Sequence, residues 1–267
     1  MDLCDAGYVR ELMNMFGLTF RKEWGQNFLT DSTAVENIAE ACGAGRPATV
    51  LEIGAGAGAL TVELAKRYGN VELVCGDIMK TDLEALLRPA FERGGVSVCA
   101  NLPYYITTPI LLALLDSRLP FESITVMIQS EVADRLVAAP GTSAYGSVTA
   151  YLGYFGVTHR LFEVTSDKFL PPPKVDSTVV RIDLYKQKPY VPRNEEIFFR
   201  TLRAAFGQRR KTLPNALTAG FGELSKSELT EAVKSAGFAP DIRGERLSTE
   251  DFVHLSDIIS DLVARNK

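Results

Sequence analysis

The residues best suited to chemistry fall in two short loops. The first is Gly54-Ala55-Gly56-Ala57-Gly58, which follows a β-type run at 49–53 and precedes a helix-like stretch at 59–66. Glycines there let the chain turn sharply and let a ligand approach the backbone closely, and the helix start behind them favours negative charge nearby. An ordinary tight turn from strand to helix would have the same composition, so the loop alone decides little. Glu52, just ahead of it, adds information. A carboxylate at that point repels a dinucleotide pyrophosphate and suits a cofactor with a cationic centre. S-adenosylmethionine, with its ammonium and sulfonium, is such a cofactor. Glu52, Gly54 and Gly56 are therefore expected to bind it.

The second loop is Asn101-Leu102-Pro103-Tyr104-Tyr105, after a β-type run at 96–100. Open α/β sheets place ligands beyond the carboxyl ends of their strands. Methylating an exocyclic base nitrogen needs its lone pair, which is normally delocalised into the ring. The side-chain amide oxygen of Asn101 and a backbone carbonyl near Leu102 can accept hydrogen bonds from the two N–H bonds. They would hold the amine in a more tetrahedral state, aimed at the methyl sulfonium. Pro103 fixes φ and removes a competing donor. Tyr104 can stack on an extruded base, a contact worth roughly 1–3 kcal/mol. The bland alternative is a proline turn with buried tyrosines. Its place after the glycine loop, in the expected order, favours the functional reading.

These loops need a scaffold, and the hydropathy pattern supplies one. Val9, Leu12, Met13 and Phe16 form an amphipathic helical stripe, and so do Val35, Ile38, Ala39 and Cys42, with Asp31 or Ser32 as cap. Runs at 49–53, 71–75, 96–100 and 123–128 read as strands, with helices at 59–66, 110–115 and 130–138 between and after them. Later runs at 157–164 and 177–184 read as strands flanking Pro171-Pro172-Pro173. This alternation predicts an α/β fold with a mostly parallel sheet. Beyond residue 193 the character becomes helical, at about 195–206, 225–235 and 249–264. The predicted organisation is a Rossmann-like methyltransferase domain at 1–187, with a helical extension at 1–46, and a small all-helical domain at 188–267.

Composition narrows the field. Of the 267 residues, 46% are apolar and 23% charged, a mix that suits a packed globular protein and excludes collagen-like and disordered chains. No apolar run is long enough to span a membrane, and the N-terminus does not read as a signal peptide, so a cytoplasmic protein is expected. The four cysteines are too scattered for a metal pair or a disulfide framework, and no metal is expected. Cys75 and Cys99 lie in apolar runs and are expected to be buried thiols. The net charge is −4, yet residues 197–222 hold no acid and carry Arg200, Arg203, Arg209, Arg210 and Lys211. Such a patch can follow phosphates, or it can be a solvated helix face.

Taken in order, several motifs are familiar. They are Gly25-Gln26-Asn27-Phe28-Leu29, Leu51-Glu52-Ile53-Gly54-Ala55-Gly56, Gly76-Asp77, Asn101-Leu102-Pro103-Tyr104-Tyr105, residues 169–177, Phe206-Gly207-Gln208-Arg209-Arg210-Lys211-Thr212-Leu213 and residues 243–248. Together they resemble the ribosomal RNA adenine dimethyltransferase family over nearly the whole chain. The resemblance implies transfer of methyl groups from S-adenosylmethionine to N6 of two adjacent adenosines. These lie in a hairpin loop near the 3′ end of small-subunit ribosomal RNA, within an immature 30S-type particle. It implies cofactor contacts from Gln26, Asn27, Leu29, Glu52, Gly54, Gly56 and Asn101, with Asp77 on the cofactor's adenine. It implies Asn101 and Leu102 at the target amine, a base held between Tyr104 and Phe169, and a helical domain whose Arg203, Arg209, Arg210 and Lys211 hold the RNA backbone. A monomer is expected.

One departure is large. Between the helix after the glycine loop and the run at 71–75, the family has a further strand, ending in an acid that grips the ribose, and then a helix. Here Tyr68 runs almost directly into 71–75, so about one strand and one helix are missing, roughly twenty residues or more. Either the sheet is left with an open flank, or 71–75 moves into the vacant place and Asp77 takes the ribose. Smaller departures are Ala55 and Pro214, where the family commonly has proline and a basic residue. The departure motivates an alternative function, a ribosome-assembly factor that binds the small subunit but is catalytically impaired. A nicotinamide-dependent oxidoreductase is the weaker alternative, because it leaves the loop at 101–105 without a task.

Overall fold

The computed structural model describes residues 2–17, 27–43, 45 and 48–266. The chain divides into two compact units, residues 1–133 with 158–186 and residues 134–157 with 187–267. The break at 186/187 lies where the sequence turns from strand to helix. Residues 134–157, however, join the second unit, so the linear boundary at 187/188 needs this correction. They hold α7 (Ser147–Phe155), which brings Tyr154 and Phe155 against Phe198 and Phe199 of α8 (Glu195–Gly207). Aromatic packing between rings 44 positions apart in the chain settles that membership, and no local pattern announces it.

The first unit opens with α1 (Ala6–Met15), β1 (Phe28–Leu29) and α2 (Ser32–Ala41). Asp5 and Asp31 cap the two helices, accepting hydrogen bonds from the N–H groups of Tyr8 and Ala34. There follow β2 (Ala48–Glu52), α3 (Ala59–Tyr68), α4 (Leu83–Arg93), β3 (Gly95–Asn101), α5 (Thr107–Asp116), β4 (Phe121–Gln129) and α6 (Ser130–Leu136). After α7, β5 (Gly156–Val164), β6 (Phe169–Leu170) and β7 (Ser177–Leu184) complete the strands. The sheet order is β2-β3-β4-β7-β5. β2, β3 and β4 run parallel, and β7 is antiparallel to β4. Near-continuous burial along β3 and β4 marks strands covered on both faces. This is the Rossmann-like arrangement expected. β1 pairs separately with β6, joining Phe28 to Leu170 and Leu29 to Phe169.

The expected strand at 71–75 does not form. The segment is unpaired, with Val71, Leu73 and Val74 exposed at 50%, 81% and 56%. β2 is the terminal strand, and its residues 49–52 are only half-buried. Of the two outcomes considered, the open flank is the one observed. The pattern at 71–75 suits a strand, but a strand is stable only beside a neighbour. Cys75, expected to be buried, is therefore exposed, whereas Cys99 on β3 is buried.

The second unit is helical, with α8, α9 (Leu213–Leu217), α10 (Lys226–Ser235) and α11 (Thr249–Arg265). Ser225 with Glu228, and Ser248 with Asp251, form reciprocal caps at the starts of α10 and α11.

Candidate active site

A cavity of about 680 Å³ lies at the carboxyl ends of β2 and β3. The glycine loop forms one wall, Asn27, Phe28 and Leu29 a second, and residues 101–104 a third. Val9, Leu12 and Met13 of α1, with Phe16 just after it, supply an apolar side. The stripe read as the packing face of a helix is thus largely a cavity lining, with only Val9 buried outright. This contribution and that of Phe28 were not predicted as site features. An apolar stripe looks alike whether it faces a core or a ligand.

The glycine loop is built for close approach. Gly54, Gly56 and Gly58 all have positive φ, which L side chains rarely adopt. A Cβ on Gly56 would stand 3.3 Å from the Phe28 ring, so a side chain there would crowd the cavity wall. Gly58 caps α3 without a side-chain hydrogen bond, which leaves the first-turn N–H groups of that helix available at the cavity. Glu52 lines the same wall. Burial pushes its carboxyl above the usual carboxylate range, partly offset by the neighbouring Thr61 hydroxyl. A half-buried acid of this kind gains a counter-charge when a cationic ligand enters. Donors at a helix start, an acid and an apolar side together fit a ligand with polar and cationic ends, such as S-adenosylmethionine.

The loop after β3 is held on several sides. The Asn101 side-chain N–H donates to the Asn27 carbonyl at 3.4 Å. A carbonyl can only accept, so this bond fixes which end of the amide is nitrogen. The amide oxygen is then the end suited to accept a target N–H. The Leu102 N–H donates to the Met127 carbonyl on β4 at 3.4 Å, and the Pro103 carbonyl accepts from the Thr107 hydroxyl at 3.1 Å and the Ile106 N–H at 3.2 Å. The Tyr104 hydroxyl shares a 2.7 Å hydrogen bond with the Ser177 hydroxyl on β7. Burial pushes the Tyr104 hydroxyl's pKa up, so it stays protonated at neutral pH.

The cavity thus gathers Asn27, Leu29, Glu52, Gly54, Gly56, Asn101, Leu102 and Tyr104. Gln26 lies outside the described residues. Two other predicted residues stand elsewhere. Phe169 is 4% exposed and packs in the core with Leu29, Val35 and Val164, because pairing of β6 with β1 turns it inward. Of the two rings expected to flank a base, this cavity therefore holds Tyr104 and not Phe169. Asp77 is exposed, and its carboxylate accepts the Met79 N–H at 3.0 Å while its carbonyl accepts from Lys80 N–H and the Thr81 hydroxyl. It closes a local turn away from the cavity, since no strand at 71–75 carries it to the sheet's carboxyl end. It is not among the residues that line the cavity, where both the adenine and the ribose roles would place it.

In the helical unit, Arg203, Arg210 and Lys211 are exposed. Arg209 has structural work: it donates to the carbonyls of Ser143 and Tyr145 at 3.2 and 3.1 Å and faces Glu245 at 3.6 Å. It is a weaker candidate for an RNA contact than its two neighbours.

Comparison with known proteins gives a consistent answer. The model of the family described as ribosomal RNA adenine dimethylase matches residues 17–74 and 67–261. A protein of Ligilactobacillus salivarius named ribosomal RNA small subunit methyltransferase A is 42% identical, covering 97% of this chain and 96% of its own. A protein of the same name from Geobacillus thermodenitrificans is 38% identical, covering 98% of each. A crystal structure of a dimethyladenosine transferase from Plasmodium falciparum superposes with a TM-score of 0.71 at 25% identity, over 85% of this chain and 95% of that one. The 23S rRNA methyltransferase ErmE shares the fold, with a TM-score of 0.60 over 88% of this chain and all of its own, at 22% identity. The alignment to the Ligilactobacillus protein runs over 284 positions, more than the 267 residues here, so that relative holds residues that this chain lacks. The family match breaks into two pieces at 67–74, where α3 gives way to the unpaired segment. The motifs, the sheet and these similarities agree, and the chain belongs to the ribosomal RNA adenine dimethylase family.

Proposed function

We propose that the protein uses S-adenosylmethionine to dimethylate N6 of two adjacent adenosines, in a hairpin loop near the 3′ end of small-subunit ribosomal RNA, acting on an immature subunit in the cytoplasm. The observation that carries this reading is the placement of Asn101 and Tyr104 in one cavity with Glu52 and the uncapped start of α3. S-adenosylmethionine supplies an electrophilic methyl group when bound. Glu52 attracts the cationic end of the cofactor, and the glycine loop admits it close to the backbone. Tyr104 stacks on the extruded adenine. The Asn101 oxygen accepts one N–H of the exocyclic amine, and the Leu102 carbonyl, one residue on, serves the other. Both acceptors favour a tetrahedral nitrogen whose lone pair faces the methyl carbon. The bound donor would supply the methyl carbon as its carbon–sulfur bond breaks, and the proton lost from nitrogen would pass to water. No side chain needs to act as a strong base.

Exposed Arg203, Arg210 and Lys211 supply phosphate contacts that position the RNA without reading sequence. The test is transfer of labelled methyl groups to small subunits lacking these modifications. Incorporation confined to the two adenosines supports the reading. Absence of incorporation, with intact protein and bound cofactor, refutes it.

A further inference from the structure

We propose that Ser177 is a positioning residue for the stacking ring of Tyr104. The inference rests on the methyltransferase reading and adds a residue which that reading does not use. Tyr104 sits at the start of a short 3-10 turn, Tyr104–Ile106, that leads into α5. That turn has no side-chain cap, and Tyr105 beside it is exposed at 66%. A tyrosine ring on such a loop would sample several rotamers, each immobilised only on substrate binding. Ser177 removes that freedom. It is fully buried at the first residue of β7, in register with Gln129 at the end of β4, and its hydroxyl meets the Tyr104 hydroxyl at 2.7 Å. The ring is thus fixed at both ends, by its own backbone and by a rigid strand.

The residue before it extends the arrangement. The Asp176 carboxylate accepts the Ser166 N–H at 2.8 Å, and its carbonyl accepts the Ser130 N–H at 3.0 Å. Ser166 begins the turn Ser166–Lys168. There the Lys168 carbonyl accepts from both the N–H and the hydroxyl of Thr30, and the Lys168 ammonium pairs with Asp31 at 2.8 Å. Thr30 and Asp31 directly follow Phe28 and Leu29 of the cavity wall. One dipeptide at the head of β7 therefore holds the stacking ring on one side and the Phe28-Leu29 wall on the other. The spacing between ring and wall is set before any base arrives, which lowers the ordering cost of binding.

The variants are Ser177→Ala, Tyr104→Phe and the double change, in the full-length protein. Tyr104→Phe keeps the ring and removes only the hydroxyl. Each single change is expected to lower the methyl-transfer rate at saturating subunits by about three- to tenfold, the usual effect of losing one neutral hydrogen bond. The double variant is expected to be no slower than either single one, and cofactor affinity by calorimetry is expected to be unchanged. Additive losses, or a Ser177→Ala protein at the wild-type rate, would overturn the proposal. A second arm needs no activity. With ¹³C-labelled tyrosine, the Tyr104 ring signal should shift and broaden in Ser177→Ala, and be restored toward wild type in Ser177→Thr. An unmoved ring signal refutes the tie even if the protein methylates, whereas a moved signal in a protein that methylates nothing leaves the tie intact and refutes the functional reading.

Discussion

Asn101 carries the most specific chemistry of any single residue here, because its two amide ends do different things. The nitrogen is held by the Asn27 carbonyl, and in the proposed reaction the oxygen is the acceptor for the target amine. Asn101→Ala removes an acceptor whose effect is felt as the amine becomes tetrahedral. Loss of such a positioned group typically costs about 100- to 1000-fold in rate. We expect a fall of that size in methyl transfer under single-turnover conditions, with cofactor binding by calorimetry changed much less. Glu52 gives a prediction in pH. Its folded-state pKa is raised by burial, so on its own it favours the fold below the ordinary glutamate pKa, and that contribution is lost as pH rises through the raised value. A cationic ligand needs the ionised form. Cofactor affinity should therefore weaken as pH falls through the raised pKa, at a higher pH than for an exposed glutamate. Glu52→Gln should flatten that dependence and weaken binding at neutral pH by about tenfold or more, a typical charge-assisted contact. A variant with the wild-type pH profile would remove Glu52 from the site. Much of this was legible in the sequence, since Glu52, Asn101 and Tyr104 follow from what the chemistry needs. Phe169 was not, because pairing of Leu29 with Phe169 is a long-range event that buries a ring the motif alone leaves open.

At the scale of elements, the segment at 71–75 separates pattern from structure. Val71, Leu73 and Val74 carry β-type side chains, and a strand was a fair reading of them. A strand also needs a neighbour in register, and that is a property of the sheet. Where α3 joins this segment almost directly, the flank of β2 stays open and the run lies exposed. Hydrogen exchange should show this contrast. Amides of 71–75 are expected to exchange within seconds at neutral pH, while those of the buried β3 remain protected far longer. Leu73→Lys should change stability by no more than about 0.5 kcal/mol in a denaturant titration, as for other exposed positions. Slow exchange at 71–75, or a large loss of stability, would mean that the segment is paired. α7 was missed for a related reason. Its sequence Ser-Val-Thr-Ala-Tyr-Leu-Gly-Tyr-Phe mixes β-branched, aromatic and glycine residues, and its burial against α8 overrides that weak local preference.

For the molecule as a whole, a net charge of −4 coexists with a role on RNA because the stretch 197–222 of the helical unit carries basic residues and no acid. The structure divides them by task. Arg200 is bound to Glu223 and the Gly220 carbonyl, and Arg209 to the 143–145 segment, whereas Arg203, Arg210 and Lys211 are exposed. Arg210→Ala with Lys211→Ala should weaken binding to small subunits and reduce the salt dependence by about one per residue removed, with the melting temperature little changed. Arg209→Ala should instead lower the melting temperature. Dimethylation is read directly by mass mapping of small-subunit RNA after incubation of unmodified subunits with the protein and S-adenosylmethionine. Two neighbouring N6,N6-dimethyladenosines are expected in the wild-type reaction, and unmodified adenosines with Asn101→Ala. Subunits that bind the protein yet leave both adenosines unmethylated, with cofactor present and saturating, would contradict that expectation.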